Sequence, residues 1–380
     1  MQEREEIRQL FERYRQGRCT PEEQVRLHAW FNEYIRHEAK GSDELRVAYN
    51  AEHGSNRKQW VRWLPYAAAF AIALTAAWFF WGGSDANVPA GNLAMQSEDI
   101  APGRNRATLS FADGRTIDLN DGKTGIVVGE RISYLDGSEV SDIRNLATDI
   151  QDNGNCNLSS NTPCLMSLKT PKGGTYQITL PDGTKVWLNA ASTLKYPSRF
   201  EGDERIVEIE GEGYFSVVRD KGSPFKVISK GQGIEVLGTK FNIAAYPDDH
   251  AMKTTLVEGK VKVSSLLQAS IESVLIPGQQ AVTQGANIEV HTVDIAQYIA
   301  WKDGVFYFRR LPLQAALMQL ARWYDMEVVY EGKIPQVNVY GELDRKLPLG
   351  AVLKSLERSG LQFKVVQSGE VNQLVVLDKT

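Results

Sequence analysis

The stretch from Leu64 to Trp81, LPYAAAFAIALTAAWFFW, carries no charged side chain, and it limits what the chain can become more than any other feature. At about 1.5 Å per residue, a helix over 64–81 is roughly 27 Å long, close to the hydrocarbon thickness of a bilayer. Pro65 stands at the helix start, where a missing N–H costs nothing. Trp60 and Trp63 mark one end and Trp78 and Trp81 the other, the depth at which amphipathic rings settle. Arg57, Lys58 and Arg62 precede the span, and Asp85 is the first charge after it. The positive-inside bias therefore places the N-terminal side in the cytoplasm and everything after residue 81 across the membrane. At this length the alternative is a buried core helix. A cleaved signal peptide fits less well, because the run begins far from Met1 behind a segment that reads as folded.

The 380 residues suggest two or three domains. A net charge of −4 points to no nucleic-acid partner. Cys19 precedes the span, whereas Cys156 and Cys164 follow it, in a compartment that permits a disulfide. The sequence leaves open a Cys156–Cys164 bridge closing a hairpin, or two free thiols.

Residues 1–60 read as a small all-α module. Ile7, Leu10, Phe11 and Tyr14 form the apolar stripe of one amphipathic helix, which Gly17 ends. Thr20-Pro21-Glu22-Glu23 supplies an N-cap, a first-position proline and a capping-box glutamate for a second. Its apolar positions are Val25, Leu27, Trp30, Phe31, Tyr34 and Ile35, and a third short helix through Leu45, Val47 and Tyr49 fits the pattern. So small a unit makes a marginal core, and a partner covering its aromatic face would stabilise it. That favours a docking module over rings that only pack on one another. No basic face marks DNA binding. His28, His37, His53 and Cys19 lack the spacing of a zinc site.

Residues 82–97 have linker composition. The following chain, 98–165 and 166–300, reads as all-β, a sandwich or a β-helix-like stack, and as the portion beyond the membrane. Thr108 to Leu119 alternates apolar and polar residues around Asp113-Gly114, and Tyr176 to Leu188 repeats the pattern around Asp182-Gly183, two hairpin signals. Ser138 to Thr162 is a polar insertion. Further strands are expected at 206–209, 214–218, 225–228, 234–237, 240–245, 253–257, 260–263 and 280–283, with Gly211 and Gly213 marking a turn or bulge. No nucleophile elbow or acid–base pairing emerges, and Asp248-Asp249 falls in a turn after Pro247. The chain reads as no enzyme, with no catalytic residue, cofactor or metal.

Residues 301–380 change to mixed α and β. Strands at 305–308, 327–330, 337–343, 363–366 and 374–377 close a sheet around helices opened by Pro312 and Pro348. Leu313, Ala316, Leu317 and Leu320 face inward on the first helix, and Leu349, Val352, Leu353 and Leu356 on the second. The whole is thus multidomain: a helical cytoplasmic module, one transmembrane helix, an all-β domain and a C-terminal α+β domain.

Certain runs resemble the periplasmic region of the FecR family of anti-sigma factors. They are Thr170-Pro-Lys-Gly-Gly-Thr-Tyr, Leu180-Pro-Asp-Gly-Thr-Lys-Val-Trp-Leu-Asn-Ala-Ala-Ser, Val207-Glu-Ile-Glu-Gly-Glu-Gly-Tyr-Phe, Val236-Leu-Gly-Thr-Lys-Phe-Asn-Ile, Leu256-Val-Glu-Gly-Lys-Val and Pro277-Gly-Gln-Gln. Trp301-Lys-Asp-Gly-Val-Phe-Tyr-Phe, Leu311-Pro-Leu and Trp323-Tyr resemble its C-terminal domain, which is similar to the short N-terminal signalling domain of secretins and TonB-dependent receptors. The resemblance implies a single-pass inner-membrane regulator. Its inner helices would hold an extracytoplasmic-function sigma factor, with Ile7, Leu10, Phe11, Tyr14, Leu27, Trp30, Phe31 and Tyr34 as contact candidates. Its outer part would meet the signalling domain of a TonB-dependent outer-membrane transporter, and a site-specific protease would release the sigma factor. Two rivals remain, a structural scaffold and a membrane-anchored periplasmic ligand- or carbohydrate-binding protein. The latter would use Trp187, Tyr196, Tyr214 and Phe215 as platform aromatics, although their alternation inside strands assigns them to a core.

Overall fold

The computed structural model describes residues 99–129, 131–140, 163–268, 270–358, 360–369 and 371–377. They belong to one compact unit, Met95–Thr380. The helical module at 1–60, the span at 64–81 and the linker lie outside the described residues, as does the insertion expected at 138–162 except for its first three residues, of which Val140 is buried in the core. Among the described residues no helix is long and apolar enough to cross a membrane.

Period-two alternation of buried and exposed side chains builds the first lobe from strands. Before the insertion come β1 (Arg104–Asn105), β2 (Thr108–Phe111), β3 (Thr116–Asp118), β4 (Gly125–Val128) and β5 (Ile132–Tyr134). After it come β6 (Leu165–Thr170), β7 (Gly174–Thr179), β8 (Lys185–Leu188), β9 (Ser192–Pro197) and β10 (Arg205–Ser216). Next are β11 (Phe225–Ser229), β12 (Gln232–Val236), β13 (Lys240–Ala245) and β14 (Met252–Glu258). β15 (Val261–Ser265), β16 (Glu272–Leu275), β17 (Gln279–Gln284) and β18 (Asn287–Thr292) complete the lobe.

Two sheets result. One has the order β3-β2-β6-β9-β10-β11-β12-β15-β16. The other has the order β5-β4-β7-β8-β10-β13-β14-β17-β18. The chain passes back and forth between them, so the inner faces of both enclose a single apolar core. Phe215, Phe225 and Phe241 are fully buried there, with the Phe215 and Phe241 rings stacked at 5.2 Å. Tyr196 and Phe215 are completely buried and Tyr214 nearly so, which removes them as a ligand platform. Both Asp-Gly turns form, but Asp113-Gly114 joins β2 to β3 in the first sheet and Asp182-Gly183 joins β7 to β8 in the second.

Strand β10 belongs to both sheets. Residues 205–210 pair with β11 and β9, and 211–216 with β13 and β8. The sequence suggests two strands interrupted at Gly211 and Gly213, whereas the structure has one. Gly211, at φ +93°, turns the backbone from sheet to sheet, and a Cβ there would lie 2.5–2.7 Å from Ser192. A glycine can thus redirect a strand without ending it. Arg205, buried where β10 begins, donates to Asp182 Oδ2 at 2.7 Å and to the carbonyls of Val218 and Ser223 at 3.0 Å, tying the hairpin turn to the crossover strand.

A short connector, α1 (Ala296–Ile299) followed by a 3₁₀ turn (Ala300–Asp303), leads to the C-terminal lobe. That lobe contains β19 (Val305–Pro312), α2 (Leu313–Trp323), β20 (Met326–Tyr330), β21 (Asn338–Asp344), α3 (Leu349–Glu357), β22 (Phe363–Ser368) and β23 (Val371–Val376). Pro312 and Pro348 occupy the N-cap positions of the two helices, whose inward residues match the apolar stripes in the sequence. The strands form two sheets rather than one. β19 pairs with β21, and β20 pairs in parallel with β23, which pairs with β22. The buried faces of α2 and α3 share one second core with both sheets, and two short sheets can each present an apolar face to the helices.

Candidate functional site

The outer face of the second sheet carries polar residues that are buried or engaged by other segments. Adjacent strands align Gln177, Trp187, Tyr214, Asn242, Thr255 and Gln280 in one cross-strand row. Asn242, Thr255 and Gln280 are at most 3% exposed. The connector accounts for part of this cover. Trp301 Nε1 donates to Asn242 Oδ1 at 3.1 Å, and the Lys302 ammonium lies 5.2 Å from the centre of the Tyr214 ring. Tyr214 in turn meets Trp187 edge-on at 5.6 Å. Within the row, Gln280 Nε2 donates to Thr255 Oγ1 at 2.7 Å. Buried polar groups have to be paired, so the connector and the sheet define one another's position.

Beside this row the two lobes are joined by a closed circuit of hydrogen bonds. Glu212 accepts from Asn189 Nδ2 at 2.8 Å and from Asn242 Nδ2 at 2.9 Å. Asn189 Oδ1 accepts from Arg345 Nη2 at 2.9 Å, and Arg345 Nη1 donates to the Trp301 carbonyl at 3.0 Å. Trp301 completes the circuit through Asn242. Asn189 and Glu212 are also linked through the backbone, Asn189 N–H donating to Glu212 O at 2.9 Å.

The Arg345 guanidinium, from the C-terminal lobe, lies 3.9 Å from the centre of the Trp323 ring and 5.2 Å from that of Phe306. Burial pulls its pKa down to about 10, against the opposing pull of Tyr246 and Glu212. Burial likewise pushes the Glu212 carboxyl above its ordinary range, and the two asparagine amides and the nearby Arg345 charge only partly offset this. Glu212 and Arg345 make no direct ion pair. The asparagine between them fixes their separation.

A second clamp lies alongside. Arg322 at the end of α2 donates to Asp248 at 2.9 Å and Asp249 at 2.8 Å, and its guanidinium sits 3.7 Å from the centre of the Tyr246 ring. Tyr246 O–H donates to the Ala190 carbonyl at 3.0 Å. The backbone of the 170–176 turn joins in, with Gly173 N–H donating to Arg322 O at 2.8 Å. The joint can act as a conformational relay, since every member is bonded to a group on a different element and none can shift alone.

The sequence places the site elsewhere. Ile7, Leu10, Phe11, Tyr14, Leu27, Trp30, Phe31 and Tyr34 all lie outside the described residues, as does Cys156. Cys164 is disulfide-bonded, with its partner outside the described residues. Its backbone N–H donates to Ser198 Oγ at 2.9 Å. Asp248-Asp249, which reads as an acidic turn, is the acceptor pair for Arg322. Asn189, Glu212, Asn242 and Arg345 carry no motif of their own. The available signal is that the first three lie at outward positions of the longest motif runs, where core packing gives no reason for their identity.

Family models match two parts of the chain: "FecR protein" over residues 166–262 and "FecR, C-terminal" over residues 305–372. Among solved structures, a crystal structure at 1.65 Å resolution of a candidate anti-sigma factor from Parabacteroides distasonis ATCC 8503 is similar, with a TM-score of 0.51 and 33% identity. The match covers 56% of this chain and 99% of that one. A second crystal structure from the same organism and of the same description, at 2.50 Å, has a TM-score of 0.51 and 34% identity over 57% of this chain and 100% of its own. No curated protein matches. The matched regions contain both halves of the joint: Asn189, Glu212 and Asn242 fall in the first family model, and Arg322 and Arg345 in the second.

Proposed function

Because the chain belongs to the FecR family of anti-sigma factors, we propose that it holds an extracytoplasmic-function sigma factor through residues 1–60 and governs its release by a signal received outside the inner membrane. The uncharged run at 64–81 is the single membrane crossing, with the N-terminus in the cytoplasm and residues 82–380 in the periplasm. Ile7, Leu10, Phe11, Tyr14, Leu27, Trp30, Phe31 and Tyr34 are the sigma-facing surface. The C-terminal lobe receives the signalling domain of a TonB-dependent outer-membrane transporter. A site-specific protease acting on the chain is the simplest way to carry the event inward, because a lone helix transmits rotation poorly. The oxidising compartment suits a hairpin-closing Cys156–Cys164 bridge.

The observation that carries this reading is the polar joint. A lobe that only needed anchoring would bury apolar surface. This one is held by the circuit of Glu212, Asn189, Arg345, Trp301 and Asn242, with Arg322 clamping Asp248 and Asp249 beside it, and such a circuit supports a relay because its members depend on one another. The ligand-binding alternative loses three of its four platform aromatics, because Tyr196, Tyr214 and Phe215 are buried while Trp187 is half-buried against Tyr214. The test is co-purification from detergent-solubilised membranes. The full chain is expected to retain a sigma factor, and the same chain lacking residues 1–60 to retain none; equal recovery of sigma factor by both would overturn the assignment.

A further inference from the structure

Helix α3 begins without a cap of its own. Pro348 occupies the N-cap position, offers no side-chain hydrogen bond, and no acidic residue follows in the first turn. The amides of Leu349 and Gly350 therefore have no partner within the helix. Both are taken by a segment about 250 positions earlier in the chain. Asp99 Oδ1 accepts from Gly350 N–H at 2.8 Å, and the Ile100 carbonyl accepts from Leu349 N–H at 3.0 Å. A carboxylate at this end of a helix is also favoured by the helix dipole.

The residues that follow continue the contact. Ile100 packs on the core of the C-terminal lobe. Gly103 passes so close to α2 and the 170–176 turn that a Cβ would lie 2.6 Å from Gly173 O and 2.7 Å from the Trp323 ring. Arg104 N–H then donates to Gly173 O at 2.8 Å, and the chain enters the β lobe as β1. Gly350 is matched to the same contact, since a Cβ there would sit 3.0 Å from Asp99 Oδ1. Residues 99–104 thus lie across the helices of the last lobe before joining the first. They precede both regions matched by the family models.

We propose that residues 99–104 form a strap by which the C-terminal lobe grips the chain on its way from the membrane, and that displacement of helix α3 releases it. An event at the C-terminal lobe then reaches the segment next to the membrane directly through the α3 amides, without passing through the β lobe. Asp99 is exposed, and the strap is tied to α3 by two hydrogen bonds, one accepted by Asp99 and one by the Ile100 carbonyl, so it can open while both lobes remain folded. The signalling consequence rests on the proposed anti-sigma function, whereas the seating of the strap does not.

The test uses the full-length chain in membranes, with Asp99→Ala and Gly350→Ala compared with wild type by hydrogen exchange over residues 99–106 and by a sigma-dependent transcriptional reporter. Asp99→Ala removes the cap. Gly350→Ala leaves the cap in place and only crowds it, since its Cβ would lie 3.0 Å from an exposed carboxylate that can shift aside. Exchange over 99–106 is expected to rise about fivefold in Asp99→Ala and by less in Gly350→Ala, with uninduced reporter output rising in the same order. Unchanged exchange would overturn the strap, and faster exchange with wild-type output would overturn its role in transmission. Deleting residues 1–60 is the separate control: if reporter output is then unaltered, the anti-sigma function fails, whatever the strap does.

Discussion

The core of the β lobe and the joint that carries the C-terminal lobe solve the problem of holding two layers together in opposite ways. Between the sheets, Phe215, Phe225, Phe241 and their neighbours exclude water and need nothing from outside the lobe. At the joint, Arg345, Glu212, Asn189, Asn242 and Trp301 are hydrogen-bonded in a ring, and removing one leaves further polar groups without partners. Dry packing is tolerant and graded, whereas a polar circuit is conditional. The difference teaches where a sensor can place its moving part: the core sets the fold, and the joint sets whether the last lobe stays docked.

The largest expected effect should break the fold and ignore the comparison. Phe215→Ala removes a fully buried ring and is expected to cost about 3–5 kcal/mol, seen as lower thermal stability of the β lobe. Arg345→Ala should break the joint selectively. It leaves the Trp301 carbonyl and Asn189 Oδ1 without their guanidinium partner, at a cost of about 1–3 kcal/mol. The expected signature is faster hydrogen exchange through β19, α2 and the connector, with exchange in β10 and β13 unchanged. Equal loss of protection in both lobes would mean that the two regions are not separable.

The next effect is one of acidity. The folded-state pKa of Glu212 is raised above its ordinary value of 4.5, so the folded protein holds this proton after the unfolded chain has lost it. Its contribution to stability is therefore complete below the unfolded value and is lost as pH rises through the folded one. Lowering the pH from neutral toward 4.5 is expected to tighten the joint, and Glu212→Gln to abolish that dependence, as read by the midpoint of C-terminal lobe unfolding at each pH. The smallest effect belongs to the strap: Asp99→Ala is expected to cost about 1 kcal/mol, measured as faster exchange of the first α3 amides.

The same contrast explains which parts could be read from the sequence. The stripes Leu313, Ala316, Leu317, Leu320 and Leu349, Val352, Leu353, Leu356 give both helices and their inward faces, because apolar periodicity has one physical cause. Both Asp-Gly turns are likewise local. The continuity of β10 through Gly211 is hidden, since a glycine that ends a strand and one that redirects it are the same letter. So is the separation of the C-terminal strands into two sheets, which depends on pairing between distant segments. The joint is the least visible. Asn189, Glu212 and Asn242 sit at positions that alternation assigns to solvent, and they are engaged by distant segments, Asn242 by Trp301 of the connector and Asn189 by Arg345 of the last lobe. Arg345 looks like any charged residue in a loop. The resemblance to the FecR family selected the runs that contain three of these residues without indicating what they do.

The central claim is that the docked state of the C-terminal lobe, held by Arg345, controls what the inner module does. Its most direct measurement is uninduced transcription from a sigma-dependent promoter in cells carrying full-length Arg345→Ala at wild-type abundance. The account predicts raised output with less sigma factor co-purifying with the chain. Wild-type output from a variant whose last lobe is shown by hydrogen exchange to have undocked would contradict it.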